Sequence, residues 1–164
     1  MYENLTEESL YQFIPVDPPA SVEALEDRYR KLESRRSPGG SEIWLNFAMR
    51  LRQKTPTTSG AVYVVTLEVT VYPDRTAYLA YTVFVPFWRQ GYARERCERV
   101  LTHLVEDYGV RSVTAEMDTC NIASVSLTES LGFQRVSFTP GADHFKGSVS
   151  DEYRYEWRAV DEPG

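Results

Sequence analysis

The sequence is poor in the residues that hold metals or build disulfide frameworks. Its 164 residues include two cysteines and two histidines, and they do not have the spacing of a zinc site. We expect Cys97 and Cys120 to be two reduced core side chains in a cytoplasmic protein. The sequence therefore predicts no metal site.

The sequence also lacks long apolar runs and an excess of positive charge. No stretch approaches the roughly 18 apolar residues that cross a membrane, and the N-terminus lacks the basic-then-apolar pattern of a signal peptide. The formal net charge of -6 is unfavourable for binding the phosphates of nucleic acids. We therefore expect neither a membrane nor a nucleic acid as a partner, and a cationic amine suits this charge better than a polyanion.

Hydrophobic periodicity predicts one mixed α/β domain over residues 1–164. Residues 1–41 are polar and interrupted by prolines, with a helix that begins after Ser21. Residues 42–160 alternate strands with amphipathic helices: an antiparallel meander comes first, and a strand–helix–strand crossover follows. This order predicts a central mixed sheet with helices on both faces. Residues 140–150 are predicted to form a loop between the last two strands.

The strongest local feature is the turn Trp88-Arg89-Gln90-Gly91-Tyr92-Ala93, where a predicted strand runs through Pro86 into an amphipathic helix. A helix N-terminus exposes unpaired N–H groups and the positive end of the helix dipole, which together bind phosphate. Gly91 allows close approach to the backbone, and Arg89 and Arg94 add charge. An ordinary tight turn with an incidental glycine is the other interpretation. The glycine-rich loops that bind nucleoside triphosphates and dinucleotides do not occur in the sequence.

A second landmark is Asn121-Ile122-Ala123-Ser124, followed by Leu131-Gly132-Phe133. Together with the turn, it resembles the GNAT superfamily of N-acyltransferases, whose motifs are Gln/Arg-x-x-Gly-x-Gly/Ala and Asn-x-x-Ala/Ser followed by Gly-Phe. The resemblance covers roughly residues 44–157, and Trp88 stands where the first motif usually has Gln or Arg. The form Trp-x-x-Gly-Tyr-Ala-x-Glu is most similar to the branch that includes ribosomal-protein N-terminal acetyltransferases.

The resemblance implies a GNAT-like fold with acetyl-CoA as co-substrate and assigns residues to it. The strand before the turn would hydrogen-bond the pantetheine arm and the acetyl carbonyl through its backbone, at Val83, Phe84 and Val85. The pyrophosphate would lie against the turn and the start of the helix, at Arg89, Gln90, Gly91, Tyr92, Ala93 and Arg94. Asn121, with Ser124, would reach the pantetheine arm from the opposite side.

The resemblance also implies direct attack of a primary amine on the thioester. A protein N-terminus, an amino-acid-like metabolite and an amine antibiotic are the acceptors that fit. Residues 42–160 would form the cofactor-binding core, and residues 1–41 and 140–150 would lie on the acceptor side. A non-catalytic acyl-CoA-binding module of the same fold is the alternative function, and family habit suggests a homodimer.

Acetyl transfer needs a donor for the thioester carbonyl and an acid for the departing thiolate. The resemblance points to the Val83 or Phe84 N–H as the carbonyl donor. It points to Ser124 as the acid, because many relatives have a tyrosine where this chain has Thr128.

For the base that takes the amine proton we favour Glu116, at the end of the central parallel strand. Asp118, Glu68 and a chain of waters are alternatives. By alternation Glu116 faces away from the apolar residues of its strand. Tyr81, on the strand before the turn, is expected to be a packing aromatic.

Overall fold

The computed structural model describes residues 1–51 and 61–160 of the chain. Its strands are β1 (Ile43–Arg50), β2 (Tyr63–Val71), β3 (Thr76–Val83), β4 (Ser112–Asp118), β5 (Gln134–Phe145) and β6 (Ser148–Arg158). Its helices are α1 (Tyr2–Leu5), α2 (Val22–Leu32), α3 (Tyr92–Tyr108) and α4 (Ile122–Ser130), with short 3₁₀ turns at Glu8–Tyr11 and Val85–Phe87.

Within these residues the strands form a six-stranded sheet in the order β1-β2-β3-β4-β6-β5. β1, β2 and β3 make the predicted antiparallel meander. β4 pairs parallel to β3 after the crossover through α3, and β6 lies between β4 and β5, antiparallel to both. The predicted mixed α/β sheet with flanking helices is therefore confirmed.

Local signals set the ends of the main helices. The Ser21 hydroxyl accepts the Ala24 N–H at 3.1 Å and caps α2. α3 ends at Gly109, whose φ of 63° lies in the left-handed region, where glycine is least strained. No helix in the described part of the chain is both long and apolar enough to cross a bilayer.

The two faces of the sheet differ because successive residues of a strand point to opposite sides. On one side, which we call the α3 face, buried residues of the central strands pack against α3. They are Val65, Leu67, Val69, Ala77, Leu79, Val113 and Ala115 on the strands, and Cys97, Val100, Leu101 and Leu104 on the helix. On the other side, the α2 face, the Glu68 carboxylate pairs with Arg28 of α2 at 2.7 Å. α2 also contributes Leu25 to a smaller buried cluster with Leu5 and Phe84.

Two predictions are corrected by the fold. Residues 140–150 are not a loop, because β5 continues to Phe145 and β6 starts at Ser148. Between these strands Lys146 and Gly147 have φ of 50° and 76°, which suits a two-residue hairpin turn with positive φ at both positions. Cys120 is exposed rather than in the core, because it lies in the turn between β4 and α4.

Candidate active site

The central feature of the sheet is a gap between β3 and β4. The register pairs that join them run from Thr76 to Tyr78 on β3. β3 then continues to Val83, and β4 continues to Asp118 while still paired with β6. We call the space between these diverging ends the splay. Backbone groups that face the splay have no neighbouring strand to bond, so they are open to a ligand.

The pairing of β3 with β2 determines which backbone groups face the splay. In an antiparallel pair, alternate residues direct their N–H and C=O groups toward the partner strand. The Phe84 N–H donates to the Val64 carbonyl at 2.9 Å. Tyr81 and Val83 are out of phase with Phe84, so they direct their backbone groups away from β2 and toward the splay. Val83, one of the residues predicted to bind the cofactor through its backbone, thus presents its N–H to the splay.

Phe84 does not present the backbone donor predicted from the sequence. The Phe84 N–H is bonded to Val64, and its carbonyl accepts the Phe87 N–H at 2.9 Å. Val85 begins a 3₁₀ turn instead of continuing β3, because Pro86 has no N–H to donate to a strand partner. The prediction that the Phe84 N–H donates to the acetyl carbonyl is therefore wrong.

Two side chains brace the turn after β3. The Trp88 indole N–H donates to the Val83 carbonyl at 2.7 Å, and the Gln90 amide donates to the Pro86 carbonyl at 2.8 Å. Trp88, the residue that departs from the usual motif, thus holds the turn against the end of β3. Because the Gln90 amide is occupied in the turn, its backbone N–H is the group left for a ligand.

Gly91 is the N-cap residue of α3 and has an open space in front of it. Gly91 and Arg89 have φ of 79° and 58°, so the turn uses the left-handed region twice. No side chain among the described residues caps this helix, which leaves its first N–H groups exposed beside the positive end of the dipole. A Cβ added at Gly91 would meet no described atom within 4 Å. This arrangement fits the pyrophosphate of an acyl-CoA.

Four arginines lie in the turn or in the first half of α3. They are Arg89, Arg94, Arg96 and Arg99. Arg94 pairs with Glu98 at 2.9 Å and Arg96 with Glu95 at 3.6 Å. The Arg94–Glu98 pair is on the surface, where such pairs contribute little to stability. Arg94 is therefore available to a phosphate at a small energetic cost.

The second sequence landmark forms the opposite wall of the splay. The Asn121 side-chain oxygen accepts the Ser124 N–H at 3.1 Å and caps α4, which leaves the Asn121 amide NH₂ for another acceptor. The Tyr81 hydroxyl donates to the Ser124 carbonyl at 3.4 Å and joins β3 to α4. The Thr128 hydroxyl donates to the Met117 sulfur at 3.8 Å. Asn121 and Ser124 are thus brought to β3, on the α3 face of the sheet.

On the α2 face, Glu116 points away from the core as alternation predicts. Its carboxylate pairs with Arg154 of β6 at 3.3 Å. Both residues line a cavity of about 400 Å³ together with Tyr72, Thr76, Ala77, Tyr78 and Thr114. Burial, and then the charges of Glu116 and Glu152, raise the pKa of Tyr78 to about 12. Burial, and then the Glu116 charge, also raise the pKa of Glu152 above its usual value.

Sequence reasoning missed Glu152 and the hydroxyl of Tyr81. The alternation of Tyr153, Tyr155 and Trp157 implies that Glu152 faces the other way, so part of the signal was present. The sequence pattern does not show that β6 lies beside β4, and this pairing is what brings Glu152 to Glu116. Tyr81, predicted as a packing aromatic, also places a hydroxyl at α4.

Comparison with known proteins gives a family and a fold. Residues 1–134 match the family model described as Acetyltransferase (GNAT) domain, whereas no curated protein sequence matches the chain. A spermidine N-acetyltransferase from Vibrio cholerae, in complex with CoA and spermine, is similar with a TM-score of 0.78 and 17% identity. The match covers 96% of this chain and 86% of that one.

A GNAT-family acetyltransferase from Bacillus anthracis is similar with a TM-score of 0.76 and 17% identity, over 96% of this chain and 86% of that one. At these identities the solved structures show the fold alone, and the family follows from the match to most of the chain. The site described above fits the cofactor of that family. The chain belongs to the GNAT acetyltransferase family and is an acetyl-CoA-dependent N-acetyltransferase.

Proposed function

We propose that the protein acetylates a small cationic primary amine that enters from the α2 face and meets the thioester in the splay. The observation that carries this proposal is the separation of charge across the splay. Arginines and a helix N-terminus lie on the side of Gly91, and the carboxylates of Glu116 and Glu152 lie on the other side. Phosphates favour the first side and an ammonium group favours the second.

Negative charge on the acceptor side exceeds the positive charge that Arg154 supplies. Asp118 lies opposite Glu152 in the pairing of β4 and β6, and the charge of Asp143 contributes to the raised pKa of Glu152. An acceptor with more than one ammonium group would satisfy this excess. The Vibrio cholerae protein of similar fold is a spermidine N-acetyltransferase with spermine bound, which supports a polyamine-like acceptor.

The other acceptors expected from the sequence remain alternatives to this one. A protein N-terminus, as in the ribosomal-protein branch, carries a single ammonium group and an extended chain. An amino-acid-like metabolite carries a carboxylate, which the acidic side disfavours. An amine antibiotic with several ammonium groups satisfies the same charge requirement as a polyamine, so the two must be separated by experiment.

The residues assigned to the cofactor keep their proposed roles, except Phe84. Acetyl-CoA, when bound, supplies the activated acetyl group. The N–H groups from Gln90 to Arg94, together with Arg89, would hold the pyrophosphate. The NH₂ group of Asn121 and the N–H of Val83 would bind the pantetheine arm and the acetyl carbonyl from opposite walls of the splay.

The acceptor amine must lose a proton to become a nucleophile. Glu116 and Glu152 are the candidate bases, because both face the acceptor side. The pKa of Glu152 is raised, which brings it closer to the neutral pH at which a general base works best. Glu116 is held in an ion pair with Arg154 at 3.3 Å. We therefore propose that Glu116 attracts the ammonium group and that Glu152 takes the proton, directly or through water.

An amine panel tests the proposal. Release of the CoA thiol is measured with spermidine, spermine, a free amino acid, a peptide with a free N-terminus and an aminoglycoside. We expect the highest kcat/KM for a polyamine and a fall of that value with salt, because the attraction is electrostatic. A preference for the peptide, or a kcat/KM that does not change with salt, would contradict the proposed acceptor.

A charge-removing variant tests the site of the acceptor. Glu116→Gln/Glu152→Gln is expected to raise KM for the amine while the affinity for acetyl-CoA stays the same. Glu106→Gln/Asp107→Asn is the matched control, because it also removes two charges, from exposed carboxylates on α3. Equal effects of the two variants would show that only the overall charge matters and not the position of the carboxylates.

A further inference from the structure

Tyr81 places an ionisable hydroxyl at the wall of the splay between β3 and α4. Its bond to the Ser124 carbonyl is 3.4 Å long, which is weak, so the hydroxyl exchanges partners easily. The ring is partly exposed, and it lies beyond Tyr78, the last residue of β3 paired with β4. At the rise of a strand, this is about 10 Å into the splay.

The other hydroxyl and thiol groups on this wall are poorer proton donors. Thr128 is 1% exposed and its hydroxyl is bonded to the Met117 sulfur. Cys97 is 0% exposed, so its thiol is enclosed in the core and does not reach the splay. Ser124 has an aliphatic hydroxyl, which ionises no more readily than water, whereas a phenol ionises near pH 10. Burial raises the pKa of Tyr81 from its ordinary value, so Tyr81 carries its proton at neutral pH.

We propose that the Tyr81 hydroxyl donates the proton that turns the departing CoA thiolate into a thiol, in place of Ser124. As the amine nitrogen bonds to the carbonyl carbon, the carbon–sulfur bond breaks and its electron pair stays on sulfur. The Tyr81 proton goes to that sulfur. The acceptor-side carboxylate first releases to solvent the proton that it took from the ammonium group. The second proton, which the nitrogen loses as the amide forms, passes to the same carboxylate, and an equal proton returns through solvent to the Tyr81 phenolate, so protons and electrons balance. The inference rests on the proposed function in one respect, the position of the thioester in the splay.

The protein complex with CoA allows a test that needs no acceptor. A hydroxyl that donates to sulfur stabilises the thiolate and lowers the pKa of the bound CoA thiol. This pKa is measured by the ultraviolet absorbance of the thiolate, with the absorbance of the protein without CoA subtracted. We expect Tyr81→Phe to raise it by about one unit, a tenfold loss of thiolate. Tyr108→Phe removes a phenol hydroxyl at the opposite end of α3 from Gly91 and is expected to leave the thiol pKa unchanged.

Turnover gives an independent measure. Loss of a general acid lowers kcat by about 100-fold, and we expect this from Tyr81→Phe with KM for acetyl-CoA nearly unchanged. The double variant Tyr81→Thr/Thr128→Tyr moves the phenol from β3 to α4. We expect its kcat to be higher than that of Tyr81→Phe. If the double variant does not fold, the thiol titration of Tyr81→Phe still decides the matter.

The outcomes separate this inference from the proposed function. If Tyr81→Phe binds CoA normally and leaves both the thiol pKa and kcat unchanged, Tyr81 only packs against α4 and the proposal is overturned. If Gly91→Glu leaves CoA binding unchanged, the thioester does not lie where we place it and both proposals fail. If the thiol pKa shifts but no polyamine is acetylated, Tyr81 keeps its role and the proposed acceptor is wrong.

Discussion

The two sides of the splay are built in different ways. The proposed cofactor side is made mainly of backbone: the uncapped N-terminus of α3, the left-handed Gly91 and the N–H of Val83. The proposed acceptor side is made of side chains, Glu116 from β4 and Glu152 from β6. A backbone site depends on conformation and tolerates many side chains, whereas a side-chain site changes its ligand with one substitution. Substitutions on the two sides should therefore fail in different ways.

The largest effect is expected on the cofactor side, from Gly91→Glu. A glutamate there places a negative charge beside phosphate, and we expect acetyl-CoA affinity to fall by about 100-fold or more. Gly109→Glu is a matched control at the other end of α3. Gly109 has a φ of 63° against 79° at Gly91, and an added Cβ meets no described atom within 4 Å at either position.

Both changes strain the backbone by about 1–2 kcal/mol. The negative charge of the new glutamate interacts favourably with the helix dipole at Gly91, the N-terminus of α3, and unfavourably at Gly109, the C-terminus. Thermal unfolding should therefore show Gly109→Glu as the less stable variant, with its binding of acetyl-CoA retained. Equal binding by the two variants would mean that the pyrophosphate does not lie at Gly91.

Asn121→Ser separates a structural from a binding role on the cofactor side. Serine also caps helices, so we expect the free energy of unfolding to stay within about 0.5 kcal/mol of the wild type. Loss of the NH₂ donor should weaken acetyl-CoA binding by about tenfold, which corresponds to one hydrogen bond. Calorimetric titration measures the affinity. Asn121→Ala, which loses the cap as well, should lower stability by about 1 kcal/mol.

On the acceptor side, Glu152→Gln is expected to change the pH profile. Because the folded pKa of Glu152 is raised, wild-type kcat/KM for the amine should increase with pH through a value above that of an ordinary glutamate. In Glu152→Gln this increase should disappear or move to lower pH. The contribution of this group to stability has the opposite sign, since it is lost as the pH rises through the folded pKa. A pH profile identical to that of the wild type would show that Glu152 takes no part.

The smallest effect is expected at the tip of the hairpin between β5 and β6. The Lys146 ammonium group donates to the Tyr11 carbonyl and, at 3.4 Å, to the Val16 carbonyl. Lys146→Met should lower the free energy of unfolding by about 1 kcal/mol and leave acetyl-CoA binding unchanged. Lys31→Met, at an exposed lysine of α2, is the control. Urea unfolding followed by hydrogen exchange in residues 1–16 would detect the loosened segment.

The cofactor side could be predicted from the sequence because its signals are local. Gly91 before an amphipathic helix and Asn121 as a helix cap each depend on a few neighbouring residues. The failed prediction at Phe84 shows the limit of this reasoning, since the bond from Phe84 to Val64 depends on the pairing of β2 with β3. The hairpin at Lys146 was missed for a related reason. Turn residues such as Gly141 also occur inside irregular strands, and Gly141 lies where the register of β5 and β6 shifts.

The position of β6 has a consequence for the order in which the molecule is made. β6 is the last strand in the described part of the chain, yet it lies between β4 and β5. During synthesis the edge of β4 stays open, and exposed to wrong pairing, until β6 leaves the ribosome. The elements of the cofactor side are complete well before that moment. The acceptor side, which needs Glu152 of β6, is completed last.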